Sequence, residues 1–174
     1  EAKARFTIII TSDDAKDIIL SNMPVEDEQI VGESKRVRFM QTPPMSSYLV
    51  AFIASELVSY ETKSQHGVKI TAYATPAQNV SDLKIGGDFA ADVLDYYDDL
   101  FKVPYPLPKL DLVAIPDFDA GAMENWGLMT FREVAMLANE KSSTEQKIYI
   151  STVIAHEISH MWFGDLVTMK WWDD

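Results

Sequence analysis

At 174 residues with 47% hydrophobic side chains, the chain can bury the core of one domain or parts of two. Fifteen basic and 27 acidic residues give a formal net charge of −12, which argues against nucleic acid or an anionic membrane as a partner of this segment. Cysteine is absent, which excludes disulfides and thiolate chemistry, and no apolar run reaches the length of a membrane-spanning helix.

The first third of the chain has the character of β-structure. Runs of branched and aromatic residues alternate with turn-forming residues, and the breaker Pro43-Pro44 interrupts them. The acidic stretch "EDEQ" at 26–29 is expected to be a solvated face. We predict strands over residues 5–10, 36–41 and parts of 47–60, so this part is expected to be all-β.

A link at residues 61–67 leads from this part to a strand at 68–75. His66, in the polar stretch "KSQHGVK", is expected to be a solvated loop residue. Apolar side chains then follow a period close to 3.6 residues over 82–101, which predicts a helix that "VPYPLPK" ends. The acidic run "DYYDD" at 95–99 is expected to be a solvated face of that helix.

Two further strands are predicted next along the chain. "LDLVAIP" at 110–116 and "GLMTFREV" at 127–134 have the apolar character of buried strands. The loop "DFDAGAMENW" separates them. Because this half combines strands with helices, the predicted fold class is α+β.

The last predicted element is a helix with recognisable ends. Ser142 or Ser143 offers an N-cap oxygen, and Gly164 is a natural C-terminal stop. His156, Glu157 and His160 therefore fall in its final turns, as H-E-x-x-H. Residues i and i+4 of a helix share a face roughly 6 Å apart, so the two imidazoles can converge on one ion.

This spacing has a chemical meaning. Two histidines supply half of a zinc site, and Glu157, one position round the helix, fits a carboxylate that acts on a water at the metal. Zinc lowers the pKa of such a water to about 7, and a glutamate can take its proton and later pass it to a leaving amine. The alternative is a pair of ordinary histidines on an amphipathic helix.

A catalytic zinc needs three protein ligands, so the third has to be found. The metzincin pattern requires Gly and His where this chain has Phe163 and Leu166, and that class is excluded. The gluzincin pattern takes a glutamate from the next helix. Downstream of His160 the only acids are Asp165, Asp173 and Asp174.

A second segment, upstream of the helix, also matches a functional motif. "GAMEN" at 121–125 precedes His156 and resembles the G-x-M-E-N motif of the aminopeptidase N family of gluzincin zinc peptidases. Supporting matches extend along nearly the whole chain. They are "LSNMPV" at 20–25, "TPPMSSYLVAF" at 42–52, "VPYPLPKLDLVAIPDFDAGAMENWG" at 103–127 and "VIAHEISHMWFGDLVTMKWWDD" at 153–174.

The resemblance implies a fold. In that family a β-sandwich precedes a thermolysin-like catalytic domain. Residues 1–60 would then be the C-terminal part of the N-terminal β-sandwich, and residues 61–174 the N-terminal part of the thermolysin-like zinc peptidase domain.

The resemblance also implies roles for the motif residues. Zn²⁺ would be bound by His156 and His160, with Glu157 as the catalytic carboxylate. The substrate-binding residues would be Gly121, Ala122, Met123, Glu124 and Asn125. Glu124 would hold the free α-ammonium of a peptide substrate, and the backbone of Gly121 and Ala122 would line that peptide. An anion fixed at that point makes an enzyme act only at free N-termini.

Parts of the family's site are expected to lie outside these residues. Its third ligand is a glutamate about nineteen positions after the second histidine, and the tyrosine that stabilises the oxyanion lies further on. The chain therefore resembles an internal segment of an aminopeptidase, whose remainder completes the site. The isolated 174-residue chain is expected to be inactive.

Two alternatives stay open beside the plain aminopeptidase. Bifunctional epoxide hydrolases and aminopeptidases of the leukotriene type tend to have G-G-M-E-N, so Ala122 and the following "WGL" favour the plain enzyme. A non-catalytic peptide-binding or interaction module is the other, because the third ligand and the oxyanion group are absent from this chain. Localisation is open as well, although the sequon Asn79-Val80-Ser81 weakly favours a secreted setting.

Overall fold

The computed structural model describes residues 2–171. Within them ten strands and two α-helices form, with short 3₁₀ turns at Ser47–Leu49 and Glu133–Ala135. In chain order the elements are β1 Ile9–Ser12, β2 Ile18–Ser21, β3 Val25–Val31, β4 Ser34–Phe39, β5 Phe52–Ser55, β6 Val58–Lys63, β7 Lys69–Ala74, α1 Val80–Phe101, β8 Lys109–Ile115, β9 Ala122–Met123, β10 Leu128–Arg132 and α2 Thr144–His160. No helix in this range is both long enough and apolar enough to cross a bilayer.

The N-terminal part is all-β, as predicted. β1, β4 and β3 form one antiparallel sheet in that order, and β2 pairs with β5. A small core of Ile19, Val37 and Phe39 lies between them. The prediction for residues 5–10 is wrong for its first four positions, because the ordered ladder begins at Ile9.

Two strands in this part escaped prediction. β2 is a short four-residue strand. Every side chain of β3 is exposed, which leaves no alternation of buried and exposed positions to recognise. The stretch at 26–29 lies within β3, and its predicted exposure is confirmed.

The second part is built on a five-stranded mixed sheet in the order β6-β7-β8-β10-β9. β8 is parallel to both of its neighbours, whereas β6 and β9 run antiparallel to theirs. α1 and α2 bury their apolar sides in a common core with this sheet. The predicted α+β class is confirmed, because an all-β part precedes a part that combines a mixed sheet with two helices. The predicted division after residue 60 falls inside β6, and its position stays a prediction.

His66 is an exposed turn residue, as predicted, but the acidic run at 95–99 is not the solvated face that was predicted. Asp95 and Asp98 are buried, and both contact the His66 ring, whose Nδ1 lies 3.0 Å from Asp98 Oδ2 and 3.3 Å from Asp95 Oδ1. Asp95 also accepts a hydrogen bond from the backbone N–H of Gln65 at 2.7 Å. These carboxylates are not a solvated face, because they bind the β6–β7 turn to α1.

Candidate functional site

The helix α2 carries the H-E-x-x-H residues in its last turns. It begins at Thr144, after Ser143, whose side chain accepts a hydrogen bond from the backbone N–H of Gln146 at 3.1 Å. Ile150, Ile154 and Ile158 are fully buried, so this stripe fixes the rotation of the helix against the core. The helix ends at His160, before the predicted stop at Gly164, which adopts a φ of +132° in the following turn.

The two imidazoles converge as the spacing predicted. His156 Nε2 and His160 Nε2 lie 3.1 Å apart, and their rings are nearly perpendicular, at 87°. His160 Nδ1 lies 2.9 Å from the carbonyl oxygen of Phe163. A carbonyl can only accept, so Nδ1 carries the proton and Nε2 presents its lone pair to His156. A proton or a cation has to lie between the two Nε2 atoms.

This geometry fits zinc. Two Zn–N bonds of about 2.0–2.1 Å at a tetrahedral angle hold their nitrogens about 3.3 Å apart. The observed separation is 3.1 Å, and the hydrogen bond of His160 to Phe163 O is of the kind that orients an imidazole for metal binding. His156 is exposed and His160 half-buried, so both nitrogens are accessible to an ion.

Two carboxylates lie beside His160. The ligand atoms of Glu124, Glu157 and His160 are all within 4.8 Å of one another, although Glu124 comes from a different part of the chain. Burial raises the pKa of Glu157 to about 7, and the negative charge of Glu124 acts in the same direction while His160 opposes it. A group with such a pKa can accept and return a proton near neutral pH.

Glu124 directly follows β9, which is the edge strand of the sheet. The backbone N–H of Arg132 donates to Gly121 O at 2.9 Å, and Met123 and Ala122 are in register with Thr130 and Phe131. Antiparallel pairing alternates, so the N–H and C=O of Ala122 point away from β10. No strand within residues 2–171 covers that edge. An extended peptide can therefore add to β9 and bring its end to Glu124.

The remaining predicted site residues differ in position. Gly121 is exposed, and Ala122 and Met123 are half-buried. The Asn125 side chain faces the interior, where its Oδ1 accepts a hydrogen bond from Thr130 Oγ1 at 2.9 Å. Among the five residues at 121–125, Asn125 therefore stabilises the conformation of the loop through a buried hydrogen bond.

Two residues near the site, Tyr48 and Asp165, were not among the predicted site residues. Tyr48 donates its hydroxyl hydrogen to Glu124 Oε1 at 3.4 Å, from the N-terminal part of the chain. Asp165 is fully buried, and neither carboxylate oxygen has a hydrogen-bond partner within residues 2–171. Burial raises the pKa of Asp165 to about 9; Glu124 and, more weakly, Glu157 add to the rise, whereas Lys3 opposes it. The contact between Tyr48 and Glu124 was not predicted, because the two residues are distant in sequence. Asp173 and Asp174 lie outside the described residues.

The chain is similar to known peptidases along its whole length. The model of the peptidase M1 N-terminal domain matches residues 1–49, and that of the peptidase family M1 domain matches residues 87–174. A probable aminopeptidase 2 of Sulfurisphaera tokodaii is 48% identical over 99% of the chain and 22% of its own length. Aminopeptidase N of Lactococcus lactis is 47% identical over 100% of the chain and 20% of its own length. Human endoplasmic reticulum aminopeptidase 1 is 47% identical over 99% of the chain and 18% of its own length. The chain thus spans about a fifth of the length of these relatives, and it belongs to peptidase family M1.

Proposed function

We propose that this chain is the part of a zinc aminopeptidase that recognises the free N-terminus of a peptide and carries two of the zinc ligands. The observation behind the proposal is the convergence of two parts of the chain. The imidazoles of His156 and His160 and the Glu157 carboxylate come from α2, and Glu124 comes from the end of an open edge strand. The coverage of a fifth of its relatives' length makes the activity a property of the complete parent protein.

In this proposal His156 and His160 bind the ion through their Nε2 atoms. A zinc ion bound there supplies a Lewis acid that lowers the pKa of a water to about 7. The Glu157 carboxylate takes a proton from the attacking water and delivers it to the nitrogen of the leaving amine. Its burial supports this role, because a carboxylate with a raised pKa holds the transferred proton more readily.

Glu124 has a separate role in this proposal. Its carboxylate binds the α-ammonium of the substrate, while the outward N–H and C=O of Ala122 pair with the peptide backbone. Because the ligand atoms of Glu124 and His160 lie within 4.8 Å of each other, an ammonium held by Glu124 brings the first peptide bond to the zinc ligands. The reaction is therefore exopeptidase cleavage at a free N-terminus.

The third zinc ligand has to come from the remainder of the parent protein. Within residues 2–171 the carboxylates grouped with His160 are those of Glu124 and Glu157. In this proposal Glu124 binds the substrate's ammonium and Glu157 transfers the proton, so neither is the third ligand. Two imidazoles alone leave half of a tetrahedral coordination shell to water. We therefore expect the isolated chain to bind zinc weakly and to lack useful activity.

The experiment that tests the metal site compares two histidine variants of the complete parent protein. We expect His160→Gln to lose stoichiometric zinc and at least about 100-fold in kcat/KM, because one of three ligands is removed. His66→Gln is the matched control, since it changes the chain's other histidine at a position away from α2. Metal analysis and hydrolysis of an aminoacyl chromogenic substrate give the readout. Retention of one tightly bound zinc by His160→Gln would refute the ligand assignment.

A further inference from the structure

A buried polar cluster connects the N-terminal strands to the turn that follows Glu124. It consists of Asn22, Lys109 and Asp111, and we refer to it as the brace. We propose that the brace positions Glu124 for binding the substrate's α-ammonium, which makes Asn22 and Lys109 positioning residues for N-terminal recognition. This inference rests on the proposed role of Glu124.

Lys109 is the centre of the brace. Its Nζ donates to Ser21 O at 2.6 Å, to Asp111 Oδ2 at 2.6 Å and to Gly127 O at 2.7 Å. The side chains of Lys109 and Asp111 are only 10% and 8% exposed. Three acceptors use all three hydrogens of an ammonium group, so the charged form satisfies every contact. Burial lowers the pKa of Lys109, and Asp111 opposes that shift.

Asn22 makes the second connection. Its Nδ2 donates to Leu49 O at 2.8 Å and to Trp126 O at 2.9 Å, while its Oδ1 accepts from the backbone N–H of Ala51 at 3.1 Å. The residue is 1% exposed. One side chain therefore joins the 49–51 segment to the turn after Glu124, with no solvent to replace a lost contact.

The close approach at Gly127 shows how tightly this turn packs. Gly127 has a φ of +80°, and a Cβ built there lies 2.2 Å from Asn22 O and 2.9 Å from Leu107 Cδ1. Only glycine fits against the backbone of residue 22 in this conformation. The turn at 125–127 thus rests directly on the N-terminal part of the chain.

The brace is connected to Glu124 in two ways. Along the chain, Glu124 lies between β9 and the turn whose carbonyls at Trp126 and Gly127 the brace binds. In space, the Tyr48 hydroxyl lies 3.4 Å from Glu124 Oε1, and the neighbouring Leu49 carbonyl is bound by Asn22. Loss of the brace would release both supports of this carboxylate at once.

The zinc helix is held differently. α2 is anchored by its isoleucine stripe in the main core, and Tyr97 of α1 donates to Ala155 O at 3.3 Å. No hydrogen bond of Asn22, Lys109 or Asp111 reaches α2 in the described part of the chain. Weakening the brace should therefore impair recognition of the amine and leave metal binding unchanged.

The test uses two inhibitors of the complete parent protein that differ only in the α-amine. Leucine hydroxamate has both a zinc-binding group and an ammonium, whereas its des-amino analogue has only the zinc-binding group. The variants are Asn22→Ser and the double change Lys109→Met/Asp111→Leu, which removes both charges together and leaves neither buried alone. Leu83→Ala in α1 is the control, because it destabilises the main core without touching the brace.

We expect the Ki of leucine hydroxamate to rise about tenfold or more in the brace variants, since displacement of a binding group by about 1 Å has effects of this size. The Ki of the des-amino analogue should change by less than about twofold, and zinc content should stay at wild-type level. In Leu83→Ala the ratio of the two Ki values should equal that of wild type.

Parallel changes in both Ki values, or an unchanged ratio in folded Asn22→Ser, would overturn the proposal. So would failure of both brace variants to fold, because the brace would then be a folding element only. If wild type itself does not prefer the amine-bearing inhibitor, the proposed role of Glu124 fails before the brace is in question. The wild-type measurement therefore separates the two failures.

Discussion

Replacing Glu157 by Gln in the complete parent protein is expected to abolish turnover while zinc stays bound. The change keeps the shape of the side chain but removes its ability to accept a proton. Loss of a positioned general base costs about 10²- to 10⁴-fold, and the loss should fall on kcat. His156 and His160 keep their Nε2 atoms 3.1 Å apart in this variant, because their positions depend on the helix and on Phe163 O.

Metal analysis and steady-state kinetics on the same sample test this expectation. Glu145→Gln is the matched control, since Glu145 lies in the exposed first turn of the same helix, and its kcat should equal that of wild type. Loss of stoichiometric zinc from Glu157→Gln would show that Glu157 is a ligand. An unchanged kcat would show that the proton is transferred elsewhere.

Replacing Glu124 by Ala is expected to weaken recognition of free N-termini and to spare the metal. Removing one partner of a buried charge pair costs about 2 to 5 kcal/mol, which corresponds to about thirtyfold to a few thousandfold in kcat/KM. The proposed zinc ligands are on α2, whereas Glu124 is on the loop after β9, so zinc content should be that of wild type.

The informative comparison for Glu124→Ala is a free peptide against its N-acetylated form. Wild type should prefer the free peptide strongly, and the variant should lose most of that preference. Glu140→Ala is the control, because Glu140 is an exposed loop glutamate of the same chain. If the variant discriminates between the two peptides as well as wild type does, Glu124 is not the principal contact of the amine.

The helix with the proposed zinc ligands could be predicted because all its determinants are local. Ser143 caps the helix, the isoleucine stripe orients it, and the i, i+4 spacing brings the two imidazoles together. The α+β class followed in the same way from the change of residue pattern along the chain. The resemblance then directed attention to 121–125, for which residue pattern alone gives no function.

The approach of Glu124 to Glu157 does not follow from the residue pattern of either motif, and only the resemblance to the family implied it. It requires β9 to pair with β10, β10 to lie beside β8, and α2 to cross that edge, all of which are long-range contacts. The brace was missed for the same reason, since Lys109 meets Ser21 across 88 positions of sequence. The burial of Asp95 and Asp98 was missed because they contact His66 in the β6–β7 turn, which is distant from them in sequence.

The most direct test of the account is to follow which amino acids the complete parent protein releases from one peptide and from its N-acetylated twin. The assay is run on the native protein, after removal of zinc by a chelator, and after zinc is restored. The account predicts sequential release of single residues from the free N-terminus, no release from the acetylated peptide, loss of activity with the metal and recovery with about one equivalent of zinc. Internal cleavage, equal attack on both peptides, or hydrolysis that survives complete zinc removal would contradict it.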